Sequence, residues 1–344
     1  MIQEKEVTIY DIARKLNVSI ATVSRALKDD PVVSKRTKKK IADLAKEMGY
    51  RSNHFARNLR SQKTNTIGVI IPMLNSYFQS TVVAGIESVA NSEGYNLIIS
   101  QSNESAEKEI NNAKTMFNNR VDGLLVSVAY GTQSTDHFDP FIKKNIPLIF
   151  FDRIIENFNC TNVVIDNRQA GYDATTHLID QGCKRIVHIT ATPKRNVYAG
   201  RLQGYKDALR DGNIEFNKDY FIIGNLAKGD ASDVANQILA MKPMPDGVFV
   251  SNDHFAVSCI LELKKAGIRI PQDIAVVGFN NDPMSRVIEP NLTTVNNPGY
   301  EIGQIAARNL IGHLTGRISI VSTNTIILRS ELIVRESSKR KKEL

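Results

Sequence analysis

Cysteine is scarce in this chain: its 344 residues hold three, Cys160, Cys183 and Cys259. An odd number so widely spaced fits neither a disulfide framework nor a metal site, which points to a reduced, cytoplasmic protein without a metal. No apolar run approaches the roughly 18 residues that suggest a membrane span. The first residues are charged and lack an apolar signal region, so nothing there marks the chain for export or for a membrane partner. A phosphate-cradling glycine loop is missing too, since neither GxxxxGKS/T nor a GxGxxG after a strand occurs. His177, His188 and His254 are scattered, and no His, Cys or Ser stands placed as a nucleophile with its base. A nucleotide-using enzyme on such a scaffold would need these features. The expectation is therefore a binding protein, not an enzyme, with no cofactor.

Net charge is also missing from most of the chain. Residues 64–344 hold 29 Lys/Arg against 29 Asp/Glu, whereas residues 1–63 hold 15 against 7. The whole surplus of +8 lies in the first fifth of the sequence. A polyanionic partner is the economical reason for such segregation.

The same segment carries the most specific pattern, VTIYDIARKLNVSIATVSRAL at 7–27. Ile9, Ile12, Ala13 and Leu16 recur at helical spacing, and Thr8 with Asp11 forms a T-x-x-D start signal. Asn17 and Val18 end that helix. Ser19 caps a second one, with Val23, Ala26 and Leu27 as its buried stripe. Two helices joined so tightly read as a helix-turn-helix. The outward face of the second helix presents Ile20, Ala21, Thr22, Ser24 and Arg25, side chains able to reach phosphates and base edges in a major groove. A third helix opens at Ser34 with the basic run Lys35, Arg36, Lys38, Lys39 and Lys40, buries Ile41, Leu44, Ala45 and Met48, and stops at Gly49. Residues 53–61 then form a short basic helix with Phe55, Ala56 and Leu59 on one side. So short a helix is unstable alone and reads as a hinge that orders on DNA.

From about residue 66 onward, apolar strands alternate with amphipathic helices, which specifies parallel sheets covered by helices on both faces. The first series has strands at 67–72, 95–100, 122–128 and 146–152. The second has them at 162–166, 185–190, 220–224, 247–252 and 274–280. The predicted fold is α/β: a helix-turn-helix DNA-binding domain at 1–63, followed by two doubly wound subdomains in 64–344. Connections near Asn162, Thr293 and Asn324 would assign 64–161 plus 294–324 to one subdomain and 162–293 plus 325–340 to the other. Ligands in such sheets sit beyond the carboxyl ends of the strands, here in the cleft between the halves. The polar residues at those ends are Asn75, Asp152, Arg153, Asp166, Asn167, Arg195, Asn196, Arg201, Asn252, Asp253, Asn280 and Asn281, with Tyr77 and Phe78 as aromatics. Carboxylates, amides and guanidinium groups pair with vicinal hydroxyls, so a polyhydroxylated small molecule suits the set. Singly, an Asp or Asn such as Asn167 or Asp253 serves equally well as a helix cap.

Over nearly its whole length the chain resembles the lactose-repressor/galactose-repressor (LacI/GalR) family of bacterial transcription regulators. The resemblance rests on the opening motif with NHFARNLR following it, then IGVIIP, GLLV, IPLIFFDR, VVIDN, RNVYAGRLQGY, SNDHFA and DIAVVGFNN in order. It implies two doubly wound subdomains of the periplasmic-binding-protein-like type. Ile20 and Ala21 stand where the family selects operator bases, and both being apolar favours thymine methyl contact. The resemblance also implies phosphate contacts at Ser19, Thr22 and Ser24, guanine reading by Arg25, and a minor-groove wedge at Leu59. Thr8 and Asn53 join this DNA-facing set. Phe78, Asp152, Arg201, Asn252 and Asp253 match effector-contacting positions, and Arg195 joins them from its place after a strand. Asn280 falls where better-known members carry an aspartate, so the ligand cannot be copied from them. The resemblance further implies a homodimer on a near-palindromic operator, in which the effector biases cleft closure. A sugar-binding transport protein shares the two-lobed body but would have no use for residues 1–60.

Overall fold

In the computed structural model, which describes residues 7–50, 63–155, 158, 160–224, 226, 230–320 and 325–340, the chain divides into two units, Met1–Thr64 and Asn65–Leu344. The expected hinge residues, Asn53 and Leu59 among them, lie outside the described residues.

Among its described residues the first unit has three helices: α1 (Ile9–Leu16), α2 (Ile20–Leu27) and α3 (Lys35–Glu47). At the start of α1 the Asp11 carboxylate accepts from the Thr8 amide (2.9 Å) and the Thr8 hydroxyl (2.7 Å), closing the first turn. Asn17, at φ +49°, ends the helix in the left-handed region that asparagine tolerates. Ile12, Ala13, Val23, Ala26, Ile41, Leu44 and Ala45 form the core. Leu27 departs from the expected stripe and is 39% exposed. It is the last residue of α2 and lies beyond the small core that Val23 and Ala26 already fill.

Among its described residues the second unit has two six-stranded sheets. In the first, β1 (Thr66–Ile71), β2 (Asn96–Gln101), β3 (Gly123–Val126), β4 (Leu148–Phe151), β5 (Thr161–Ile165) and β11 (Thr325–Leu328) run parallel in the order β11-β5-β4-β3-β1-β2. In the second, β6 (Ile186–Thr190), β7 (Phe221–Ile223), β8 (Gly247–Val250), β9 (Ala275–Phe279), β10 (Thr293–Asn296) and β12 (Glu331–Ile333) take the order β12-β10-β9-β8-β6-β7, with β12 antiparallel to β10. Helices α4 (Tyr77–Ser92), α5 (Ala106–Asn118), α6 (Asp139–Lys143) and α11 (Gly299–Leu314) go with the first sheet. Helices α7 (Asn167–Asp180), α8 (Asn196–Asp211), α9 (Ala231–Ala240) and α10 (Asp253–Lys265) go with the second. Strands β3, β4, β5, β6, β8 and β9 are buried throughout, which is why they read as unbroken apolar runs.

The subdomain boundaries differ from the expectation. β5 stays in the first sheet, paired Ile149↔Thr161, β10 stays in the second, and β11 returns to the first, paired Thr325↔Asn162. The three connections thus follow Ile165, Asn296 and Leu328, rather than lying near Asn162, Thr293 and Asn324. β5, buried throughout, carries no periodicity that says which sheet it joins, and the four-residue strands β10 and β11 are too short to carry one.

Close helix packing positions the site. A Cβ on Gly171 of α7 would collide with the backbone oxygen of Arg201, and one on Gly204 of α8 with that of Arg168. These two glycines let α7 and α8 press together and fix where Arg201 leaves its helix. Among the described residues, no helix is long and apolar enough to cross a membrane.

Candidate functional site

In the first unit, the candidate DNA-facing residues gather around the start of α2. Ser19 Oγ accepts from the Thr22 amide at 3.1 Å and lies 2.8 Å from the Thr22 hydroxyl, so both side chains are held at the helix N-terminus. That end carries unpaired amides and a positive dipole, a natural seat for phosphate. Ile20 is 40% exposed, Ala21 and Arg25 are exposed, and Ser24 is half-buried. Thr8 is exposed at the cap of α1. Within the basic run, Lys38 is tied to Asp29 through its carboxylate (2.6 Å) and its carbonyl (2.8 Å), whereas Lys35, Arg36, Lys39 and Lys40 are exposed.

In the second unit, side chains from the carboxyl ends of both sheets meet. Asp152 follows β4 at φ +57°, and its amide donates to Val163 O. Its carboxylate accepts from Gln79 Nε2 at 3.1 Å and Ser127 Oγ at 3.5 Å. Burial raises the Asp152 pKa, opposed by the charges of Arg153 and Arg201. From the second sheet's side, Asn196 in the first turn of α8 donates to Asp152 O at 2.9 Å and accepts from the Ile154 amide at 3.1 Å. This residue bridges the subdomains.

Arg201 is buried. Its Nε donates to Asn167 Oδ1 (2.9 Å), its Nη1 donates to Ser251 O (3.0 Å), and its guanidinium lies 3.5 Å from the Phe279 ring centroid. Burial pushes its pKa down to about 10. Arg153 donates to both oxygens of Glu104 at 2.8 Å and to Tyr198 Oη at 3.3 Å, and lies 4.1 Å from the Tyr130 ring centroid. Burial opposes its charge, but Tyr198, Tyr130, Glu104 and Asp152 outweigh that and raise its pKa. The Tyr130 and Tyr198 hydroxyls meet at 2.7 Å across the subdomains. Arg195, the N-cap of α8, donates to the carbonyls of Tyr130 and Thr132 in the first subdomain.

Other candidates have internal work. Asn252 caps α10, its Oδ1 accepting from the Phe255 amide at 2.7 Å. Asp253 is fully buried, accepting from the Asp282 amide (2.8 Å) and the Thr294 hydroxyl (2.7 Å). Burial pushes its carboxyl up to about 7. It holds the loop after β9 in place. Asn280 follows β9 at φ +106° and accepts from Asn297 Nδ2 at 3.3 Å. Phe78 packs into the core against Gly299 of α11. Asp166 caps α7 by accepting from the Gln169 amide at 2.9 Å.

Asp152, Arg195, Asn196 and Arg201 thus converge, joined by Tyr130, Tyr198, Glu104 and Gln79, which sequence reasoning did not single out. Tyr198 had a signal: it stands three residues from both Arg195 and Arg201, on one helix face. Tyr130 and Glu104 lie outside helices and strands and had none. A shallow cavity of about 350 Å³ lies elsewhere, lined by Asp166, Arg168, Gln169, Tyr172, Asp207, Arg210 and Asp211. Arg168 and Arg210 spend their charges there on Asp207 and Asp211.

Comparison with known proteins adds to this geometry. The model for bacterial regulatory proteins of the lacI family matches residues 8–53, and a periplasmic binding protein-like domain matches residues 175–338. The chain is 32% identical to catabolite control protein A of Priestia megaterium, covering 97% of this chain and 99% of that one. It is 31% identical to the HTH-type transcriptional repressor CytR of Escherichia coli strain K12, covering 98% of each. The structure of the lac repressor dimer bound to operator and the anti-inducer ONPF superposes with a TM-score of 0.85 at 24% identity, covering 97% of this chain and 99% of that one.

Proposed function

The chain belongs to the lacI family of bacterial regulatory proteins and is a DNA-binding transcription regulator, and from that premise we propose a repressor whose hold on its operator is set by a sugar-like effector in the cleft. It acts in the cytoplasm as a homodimer, one head per half-site, because one short helix-turn-helix supplies little specificity and two-fold pairing supplies the rest. Ile20, Ala21 and Arg25 read bases. Thr8, Ser19, Thr22 and Ser24 hold phosphates, and Asn53 and Leu59 serve the hinge. In the cleft, Asp152, Arg195, Asn196 and Arg201 contact the effector, with Phe78, Asn252, Asp253 and Asn280 shaping its walls. It binds its effector without turning it over.

The observation that carries this reading is the polar network joining the strand ends of both sheets, Asn196 to Asp152 and Tyr198 to Tyr130. A ligand that replaces those bonds changes the relation of the two subdomains, and so biases a two-state element. A thermal-shift screen of monosaccharides, oligosaccharides, sugar phosphates and nucleobases tests it, because a ligand preferring the native state raises the melting temperature. A polyhydroxylated compound is expected to do so. Stabilisation by nucleobases alone would contradict the effector class.

A further inference from the structure

The loop between β3 and α6 is gripped by two opposite charges, one from each subdomain. Glu109, fully buried on α5, holds it from the first. Its Oε2 accepts from the Ala129 amide at 2.7 Å. Its Oε1 accepts from the Thr132 hydroxyl at 2.8 Å and lies 3.1 Å from His137 Nε2. Residues 129–137 are thereby fastened to α5 along their length. Arg195, which opens α8, holds the same loop from the second subdomain. Its guanidinium donates to the carbonyls of Tyr130 (3.2 and 3.1 Å) and Thr132. The loop gives its amide and hydroxyl donors to the carboxylate and its carbonyls to the guanidinium.

The two charges also act on each other. Burial lowers the Arg195 pKa, and Glu109 is the strongest influence against this, with Glu104 aiding it and Arg153 opposing it. A buried charge is tolerated when hydrogen bonds and an opposite charge offset its desolvation, and this loop supplies hydrogen bonds to both partners. Polar groups linked between opposite charges polarise one another, which strengthens each bond in a low-dielectric interior. Tyr130 carries the loop further across the cleft. Its hydroxyl meets that of Tyr198 at 2.7 Å, and its amide donates to Glu104 at 3.1 Å, the carboxylate that also binds Arg153. Gly131, Gln133 and Ser134 are exposed, whereas Ala129 and Thr132 are buried.

We propose that residues 129–137 form a strap that closes the cleft onto the start of α8, and that Glu109 is its positioning residue, holding the strap against Arg195. This deepens the reading of the cleft as the effector site and rests on it for its consequence. Arg195, Asn196 and Tyr198 meet the effector in the geometry that the strap imposes on α8. The strap itself is tested with no effector present, so the two readings can fail separately.

Hydrogen–deuterium exchange of the full chain, read at residue resolution, is the test. Three amides report on the far side of the strap. Those of Tyr198 and Ala199 bond to Arg195 O within the second subdomain (3.1 and 2.9 Å), and that of Ile154 donates to Asn196 Oδ1 across the cleft (3.1 Å). Glu109→Gln keeps the shape and removes the charge. It should speed exchange of the strap and of all three reporters by about tenfold, the shift in an opening equilibrium that follows loss of a hydrogen bond to a charged group. Amides of β1 and β8 should keep their wild-type rates. In Arg195→Gln the Ala129 amide should exchange faster too, although its acceptor Glu109 is untouched. Thr132→Val, which keeps the charge, should move the reporters less. Faster exchange confined to 129–137 in Glu109→Gln would reduce Glu109 to a local loop anchor and overturn the proposal. A Thr132→Val effect as large as that of Glu109→Gln would overturn the role given to the charge. An unmoved Ala129 amide in Arg195→Gln would also overturn the proposal, and that variant decides if Glu109→Gln loosens β1 and β8 as well.

Discussion

The head and the cleft place their candidate groups in opposite ways. Around α2 the candidate contacts are exposed or half-buried, come from a stretch of seven residues, and rest on a core of seven small or medium side chains. In the cleft the candidate groups are buried, come from both sheets, and depend on partners such as Arg153 and Glu104 that lie 49 residues apart. A surface that meets a long polyanion needs reach and can leave its charges in water. A pocket that recognises a small molecule needs groups already desolvated and aimed, so its charges are costly unless something answers them. The first design depends on local folding and the second on tertiary packing.

Breaking the head alone should give the largest effect. Ile41 is fully buried in a very small core. Truncating such a residue costs about 2–5 kcal/mol, close to all that so small a unit can have. Ile41→Ala should abolish operator binding in an anisotropy titration while the main calorimetric transition of the body stays in place. Loss of both transitions together would show that the units are not independent in the way the comparison requires.

The body should instead show its character in pH dependence. Burial pushes Asp253 up to about 7. Its stabilising contribution is complete below the unfolded value near 3.9 and is lost as the pH rises through 7. His188, stacked on Phe249, is pushed down to about 3 by burial. Its contribution is complete above the unfolded value near 6.5 and is lost as the pH falls towards 3. Between about pH 4 and 6.5 the two slopes oppose each other. Asp253→Asn, neutral throughout, should uncover the histidine, so that stability rises with pH by about 1.4 kcal/mol per unit more steeply than in wild type. Urea unfolding at several pH values measures this, and parallel slopes would contradict it.

A smaller effect sharpens the other side. Ser19→Ala removes the cap that holds Thr22 and should cost the head about 1 kcal/mol. Operator affinity should fall with it, while the melting of the body does not move.

The sequence was most informative where structure is local. The caps at Thr8–Asp11, Ser19 and Ser34 and the stop at Gly49 are short-range chemistry, and α1, α2 and α3 lie where those signals put them. In the body, the strands of the two series were legible as apolar runs, most plainly β3, β4, β5, β6, β8 and β9, because parallel strands buried on both faces must be apolar. Sheet membership was not legible. Nothing in β5, β10 or β11 by itself tells which sheet the strand joins, so the three connections fall a few residues later than expected. At the site, Asp152 and Arg195 could be found because a strand end and a helix start fix their place, and Arg201 because it follows on the helix that Arg195 opens and matches a family position. Tyr130, Glu104 and Gln79 enter only through contacts that span both sheets or distant loops, and no spacing announces those. Asp253 shows the converse: its position at a strand end suggested a ligand contact, whereas its buried carboxylate holds the backbone of Asp282 and the hydroxyl of Thr294.

The central claim is that occupancy of the cleft controls the grip of the heads. Operator affinity measured by fluorescence anisotropy, across a titration of whichever effector the thermal-shift screen identifies, tests it most directly in wild type and Arg201→Ala side by side. The account predicts an affinity change of about tenfold or more for wild type, corresponding to a coupling of about 1.4 kcal/mol, and a flat response for Arg201→Ala with its operator binding retained. Equal responses from the two proteins, or none from either while the effector is demonstrably bound, would contradict it.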